Sequence, residues 1–414
     1  MKTNYFVNHI PSINISDYDY SLPESRIAKF PLSKRDSSKL LIYKGKTITQ
    51  ATFKDIVNLI EPASTVVFNN TKVVQARLHF KKKTGATIEV FLLEPLDPAD
   101  YAISFSSTQK CKWKCIVGNL KRWKDEILES PIVTSQSFLH AKKVCKIGES
   151  VEIEFSWNDS SLSFARVIEL CGEVSIPPYL NRNPDECDKT TYQTIYAKPE
   201  GSVAAPTAGL HFTAEIINSI QKNGVNIEFL TLHVGAGTFK PVKSDIIADH
   251  EMHTEHFFVS KELINQIRNC TGSILSVGTT SLRTLESLYW LGVKLHTDVL
   301  DRKNPFIGQW EPYNLPQDVE LSHSLDLIDK WMINENKNFI SASTQLCITP
   351  GYKFRVVDNL ITNYHQPRST LLLLVAAFIG DDWKRVYSYA LENEFRFLSY
   401  GDSSILFRNK TNEQ

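Results

Sequence analysis

Hydrophobic and polar positions change rhythm several times along this chain. Between residues 22 and 60 the pattern is mixed and predicts a short helix over Leu22 to Phe30 and a strand over Lys39 to Tyr43. Thr65 to Asn69 is short and continuously apolar, the pattern of a strand buried on both faces. Next come short runs at 73–80, 86–94, 101–106, 112–117, 151–157 and 162–169, each predicted as a strand. Val151-Glu152-Ile153-Glu154-Phe155 alternates strictly, as a half-buried strand does. Strand after strand without helices predicts a small β-barrel or sandwich at about 75–176. Pro177 and Pro178 end it.

From residue 190 onward helical and strand periods alternate. Thr213 is placed to cap a helix that ends near Gly224, and Val225 to Val234 reads as a strand. A second strand, Ser273 to Val277, leads through Gly278 into a helix over Ser281 to Trp290. Such alternation predicts an α/β layer. Residues 291–343 interrupt it with loops, prolines and one helix, Ser324 to Met332. Leu371 to Ile379 is the longest apolar run and predicts a buried helix opened by Ser369 and Thr370 and closed by Gly380. It is far short of the ~20 residues that cross a bilayer, so no membrane partner is expected.

Composition narrows the function classes. The 414 residues carry 46 Lys plus Arg against 46 Asp plus Glu, which argues against a uniformly basic nucleic-acid coat but allows a local patch. The seven cysteines are dispersed, and Met1 to Ile15 lacks a secretory pattern, so reduced thiols in a cytoplasm are expected. Cys111 and Cys115 lack the second pair of a zinc set, and His250, His253 and His256 match no zinc spacing. No metal is expected.

Four segments could carry chemistry. Ala205 to Thr213 combines small residues with a helix start, which suits close approach to an anionic group; an ordinary capped loop fits as well. His233-Val234-Gly235-Ala236-Gly237 follows a strand, but completes no dinucleotide fingerprint. Gly278-Thr279-Thr280-Ser281 puts three hydroxyls at a strand-to-helix turn, with Arg283 and Glu286 on one helix face; a carboxylate or phosphate site and a capped helix with a surface ion pair both fit. Thr362 to Thr370 crowds polar, aromatic and basic groups before the buried helix. Separately, Lys81, Lys82, Lys83, Lys121 and Arg122 form basic clusters with Trp113 and Trp123 nearby, a combination that suits phosphates and unpaired bases. A solvated charged face is the plainer alternative.

Taken together, these segments resemble the S-adenosylmethionine:tRNA ribosyltransferase-isomerase family of queuosine biosynthesis. The resemblance is carried by Tyr18 to Pro23, Lys34 to Leu40, Val67 to Val73, Ala76 to Leu78, Tyr192 to Ala197 and Gly201 to Thr213. It continues in Thr231 to Phe239, Met252 to Glu255, Val277 to Ser281, Pro350 to Phe354, Ile361 to His365, Pro367 to Leu371 and Phe395 to Asp402. Asn70, Lys72 and Gln345 depart from it, standing where Asp, Arg and Asp are expected.

The resemblance implies an α/β layered domain built from both chain ends, 1–74 and 177–414, with a small β-barrel domain inserted at 75–176. Residues 291–343 are longer than the family's usual connection. It implies transfer and isomerisation of the ribosyl part of S-adenosylmethionine onto 7-aminomethyl-7-deazaguanine at the tRNA wobble position, giving epoxyqueuosine with loss of adenine and methionine. S-adenosylmethionine is then a consumed substrate, and no cofactor is required. The sulfonium acidifies a ribose methylene, so the reaction needs a base there and an acid for adenine. His211, His233, His253, His365 and Glu255 are the candidates. Thr207, Gly209, Gly235, Gly237, Thr279, Thr280, Ser281, Arg283 and Arg368 are expected to bind substrate, and the five basic residues above to bind tRNA. A cytoplasmic monomer is expected. The rivals are a non-catalytic tRNA-binding relative and a methyltransferase; the latter lacks a strand, Gly-rich turn and acidic residue in sequence.

Overall fold

Strands that read as continuously apolar belong in the middle of a parallel sheet, covered on both faces. The computed structural model describes residues 12–133, 137–235, 242 and 244–408. Its larger sheet contains β1 (Lys39–Lys44), β2 (Thr47–Thr52), β3 (Thr65–Asn69), β4 (Asn226–His233), β5 (Glu255–Ser260), β6 (Ile274–Val277), β7 (Phe306–Ile307), β8 (Phe339–Thr344), β9 (Asn359–Asn363) and β10 (Ser403–Phe407). Their spatial order is β7-β8-β5-β4-β3-β6-β9-β10-β1-β2. At the centre β4, β3, β6 and β9 run parallel, and β3 and β6 are buried throughout.

Helices leave this sheet where the sequence places their caps. In α1 (Ala214–Lys222) the Thr213 hydroxyl accepts from Ile216 N. Gly278 precedes α2 (Thr279–His296), which packs on β6 and β3. Further on lie α3 (Leu321–Asn334) and α4 (Thr370–Ile379), the latter capped by Ser369 and closed by Gly380 at a φ of 65°.

The smaller sheet is antiparallel throughout. Its order is Gly172–Glu173, Arg77–Lys81, Thr87–Asp97, Lys110–Gly118, Ser150–Ser156, Phe138–Ile147, Leu128–Pro131. Arg77–Lys81 returns against Leu128–Pro131, so the sheet curls into a half-open barrel around Trp113, Phe105, Phe155 and Phe164. The described residues fall into two compact units, one drawn from 1–70, 206–232 and 240–414, the other from 71–205 and 233–239.

Several predicted elements differ. The segments 101–106 and 162–169 are helical: Tyr101–Ser106 is capped by Asp100, and Phe164–Cys171 by Ser163. Phe164, Val167 and Ile168 are the buried positions of the second, a helical spacing that competes with alternation in so short a run. Leu22 to Phe30 holds only a single turn, Glu24–Arg26, confined by Pro23 and Pro31. Residues 291–343 are no mere interruption: α2 runs on to His296, and β7 and β8 extend the main sheet.

Candidate functional site

Loops leaving the carboxyl ends of parallel strands are where an open α/β sheet binds ligands. β6 and β9 each open there into one of the polar segments singled out from the sequence. At the end of β6, Gly278 adopts a φ of 88° and donates its N–H to Ile361 O at 2.8 Å, a bend that favours glycine. α2 starts at once, presenting Thr279 and Thr280 at its positive end. Neither threonine hydroxyl hydrogen-bonds to a described residue. The Ser281 hydroxyl is different. It is fully buried and donates to Val277 O at 2.8 Å. It ties the turn together.

The turn Thr207–His211 packs against β9 and brings Ala208 beside Gly278. Thr207 is half-buried and its hydroxyl bonds to no described residue, while the N–H of buried Gly209 is spent on Pro206 O. His211 closes the turn. Its Nδ1 lies 2.8 Å from Ser38 Oγ and its Nε2 3.1 Å from Asn363 Oδ1. Asn363 Nδ2 donates to Leu398 O and Ser399 O, which fixes the amide with its oxygen facing the ring. Nε2 must therefore carry the proton, and Nδ1 accepts from the Ser38 hydroxyl. Burial pushes the imidazole down to about 4. A neutral ring with both nitrogens engaged links Ser38 to β9.

His365 follows β9. Its N–H donates to the Tyr387 hydroxyl at 3.1 Å, and its carbonyl accepts from the Tyr20 hydroxyl. Nε2 lies 3.0 Å from Thr362 Oγ1, whereas Nδ1 hydrogen-bonds to no described residue. Burial pushes this ring down to about 3, so it is neutral at neutral pH, with one nitrogen a donor and the other an acceptor. Arg368 is exposed, at a φ of 54°, with its side chain 4.0 Å from Asp245.

Two charged residues of α2 turn inward. Arg283 Nη1 meets Glu255 Oε2 at 2.5 Å and Nε donates to Leu346 O at 3.0 Å, with both side chains buried. Glu286 accepts from the N–H groups of Arg355, Val356 and Val357 and from the Tyr352 hydroxyl. A surface pair between Arg283 and Glu286 is thus excluded. Arg283 and Glu255 thus form a buried ion pair beside the site. His253 is exposed and His250 half-buried. Among the described residues no group of three or more His, Cys, Asp or Glu is placed to hold a metal ion.

In the second unit, buried His233 bonds Thr71 Oγ1 at 3.0 Å, stacks on Tyr101 and presses on Gly201, where an added Cβ would meet the ring at 2.4 Å. Gly235 follows it; Gly237 lies outside the described residues. Lys81, Lys83, Lys121 and Arg122 are exposed, while Lys82 pairs with Glu126 and donates to Arg122 O. The departures are accommodated: Asn70 accepts from Thr231 Oγ1, Lys72 pairs with Glu200, and Gln345 donates to Thr254 Oγ1. Ser38, Asn363, Tyr20 and Tyr387 were not legible as site residues. Tyr20, Ser38 and Asn363 do fall inside motif segments, which was the available signal.

A parallel-centred α/β sheet with uncommitted hydroxyls and a neutral histidine at its carboxyl edge defines a ligand-binding α/β enzyme. Residues 15–406 match the family described as queuosine biosynthesis protein. The chain belongs to that family. It is 37% identical over 401 residues to the S-adenosylmethionine:tRNA ribosyltransferase-isomerase of Sulfurihydrogenibium sp. (strain YO3AOP1), covering 95% of this chain and 100% of the relative. With the same-named protein of Halothermothrix orenii it shares 36% identity at the same coverage. A crystal structure of S-adenosylmethionine tRNA ribosyltransferase from Thermotoga maritima matches 95% of this chain and 100% of that one at 26% identity and a TM-score of 0.47.

Proposed function

We propose that this chain is an S-adenosylmethionine:tRNA ribosyltransferase-isomerase. It moves the ribosyl part of S-adenosylmethionine onto 7-aminomethyl-7-deazaguanine at the tRNA wobble position, isomerises it to the epoxyqueuosine ring, and releases adenine and methionine. Relatives of that name, aligned over nearly the whole chain, support the activity. The observation that carries the site is that Thr207, Thr279 and Thr280, whose hydroxyls bond to no described residue, lie with His365 at the edge where β6 and β9 end.

In this reading the start of α2 and the Thr207 turn hold the carboxylate or ribose hydroxyls of S-adenosylmethionine. His365, neutral and with Nδ1 open, accepts a hydrogen bond from a reacting group and orients it; a ring held near 3 is too weak a base to keep a proton. Arg368 borders the substrates, and His253 is the solvent-facing proton carrier. The small-sheet unit binds tRNA through its exposed basic residues. S-adenosylmethionine is consumed, with no resident cofactor, by a monomer acting in the cytoplasm.

The test is product analysis with S-adenosylmethionine and a tRNA carrying the aminomethyl base. Free adenine and methionine in equal amounts are expected. S-adenosylhomocysteine would make the protein a methyltransferase, and binding of the tRNA without turnover would make it a non-catalytic relative.

A further inference from the structure

Strand ends of the small sheet line up along one rim. The registers Lys81↔Thr87, Glu89↔Gly118 and Lys146↔Val151↔Cys115 put there the end of Arg77–Lys81, the start of Thr87–Asp97, the end of Lys110–Gly118 and the turn at 147–150. The loop at 119–126 lies on this rim. Two lysines hold it from within. Lys82 Nζ donates to Arg122 O at 2.6 Å and pairs with Glu126, with only 16% of its side chain exposed. Lys143 Nζ donates to Trp123 O at 3.3 Å and lies 3.8 Å from Asp125. Trp123 is buried and donates Nε1–H to Glu126 O at 2.9 Å.

The loop so fixed presents Lys121, Arg122 and Lys124, with Lys81 and Lys83 on one flank and Lys146 on the other. All six are exposed, and none forms an ion pair with a described residue. Asp125 and Glu126 already face the two anchoring lysines, which leaves Glu149 as the uncommitted acid of these segments. The outer face of the sheet is unlike the rim: Lys112 pairs with Glu152 at 3.7 Å and Lys114 with Glu94 at 2.6 Å, a self-neutralised ladder.

Six like charges crowded on a rim repel one another, and a polyanion relieves that repulsion while releasing counterions. We infer that this rim docks the phosphodiester backbone of tRNA. Lys124 and Lys146 belong to the contact, and Lys82 and Lys143 are positioning residues that shape the loop without touching the ligand. The inference rests on the proposed function and deepens it, since pre-fixed cations lose less entropy on binding than free ones.

The experiment measures binding of tRNA carrying the aminomethyl base to the full-length protein across a range of salt. Replacing two phosphate contacts should make the slope of log affinity against log salt shallower by about 1.5–2, so Lys124→Ala/Lys146→Ala should show that change. Lys112→Ala/Lys114→Ala should keep the wild-type slope. Lys82→Met and Lys143→Met should keep most of the slope while speeding amide hydrogen exchange at 119–126. An unchanged slope in a normally folded Lys124→Ala/Lys146→Ala protein that still yields adenine and methionine overturns the rim alone. Salt-independent tRNA binding by the wild type overturns the tRNA reading itself. A slope loss for Lys82→Met as large as for the contact pair makes Lys82 a ligand contact and removes its anchoring role.

Discussion

At the residue scale, His211 shows what burial does to a group whose type suggests catalysis. The sequence places a histidine between a glycine turn and a helix cap, and the ring is indeed fixed there. What fixes it are two hydrogen bonds, to Ser38 and Asn363, which engage both ring nitrogens. The consequence is thermodynamic. An unfolded histidine titrates near 6.5 and the folded ring near 4, so the unfolded chain takes up a proton that the folded one refuses. The stability due to this difference is present above about pH 6.5 and is lost as pH falls toward 4, by on the order of 3 kcal/mol. His211→Gln should be less stable at neutral pH yet lose less stability on acidification. Urea midpoints measured from neutral to mildly acidic pH check this; parallel curves for the two proteins would assign the acid sensitivity to other groups.

At the scale of elements, α2 is the member that joins the site to the frame. Its first turn offers Thr279 and Thr280, its second turns Arg283 and Glu286 inward, and its far end carries Gly292 against α3. A Cβ on Gly292 would stand 2.0 Å from Ser324 Oγ and 2.4 Å from Ser324 O, while Ser324 Oγ donates to Tyr289 O at 2.7 Å. Backbone cannot give way cheaply there. Gly292→Ala should therefore destabilise the protein by about 2–3 kcal/mol, even though alanine is the better helix former by roughly 1 kcal/mol. A urea midpoint equal to or above wild type would show that α3 shifts freely. The sequence announced neither this contact nor β8, because a helix–helix crossing and an added strand depend on partners distant in the chain.

For the whole molecule, the two substrates of the proposed reaction call on different units. The hydroxyls proposed to hold S-adenosylmethionine lie at the carboxyl edge of the large sheet, and the cations proposed to hold tRNA lie on the small one. Thr280→Val keeps the shape at the start of α2 and removes one uncommitted hydroxyl. It should raise the KM for S-adenosylmethionine about tenfold, a typical loss for one hydrogen bond, with little change in the KM for tRNA. Equal rises in both would recast Thr280 as part of the structural cap.

The sequence by itself determined the family, the central buried strands, the caps of α1 and α4, and the loops at the sheet edge. Each of these depends on short, contiguous patterns of burial and on helix-end chemistry, which neighbouring residues set. Only the tertiary structure decided which polar side chains remain free. Ser281, Arg283, Glu255, His211 and Lys82 have the right chemistry for a site and sit in or beside the right motifs, yet each is already bonded to a group from another part of the chain or across a turn. Among the described residues, none bonds to the Thr279 and Thr280 hydroxyls or to Nδ1 of His365. Hydrogen-bonding capacity is written in the residue type, but whether it has been spent depends on what folding brings within about 3 Å.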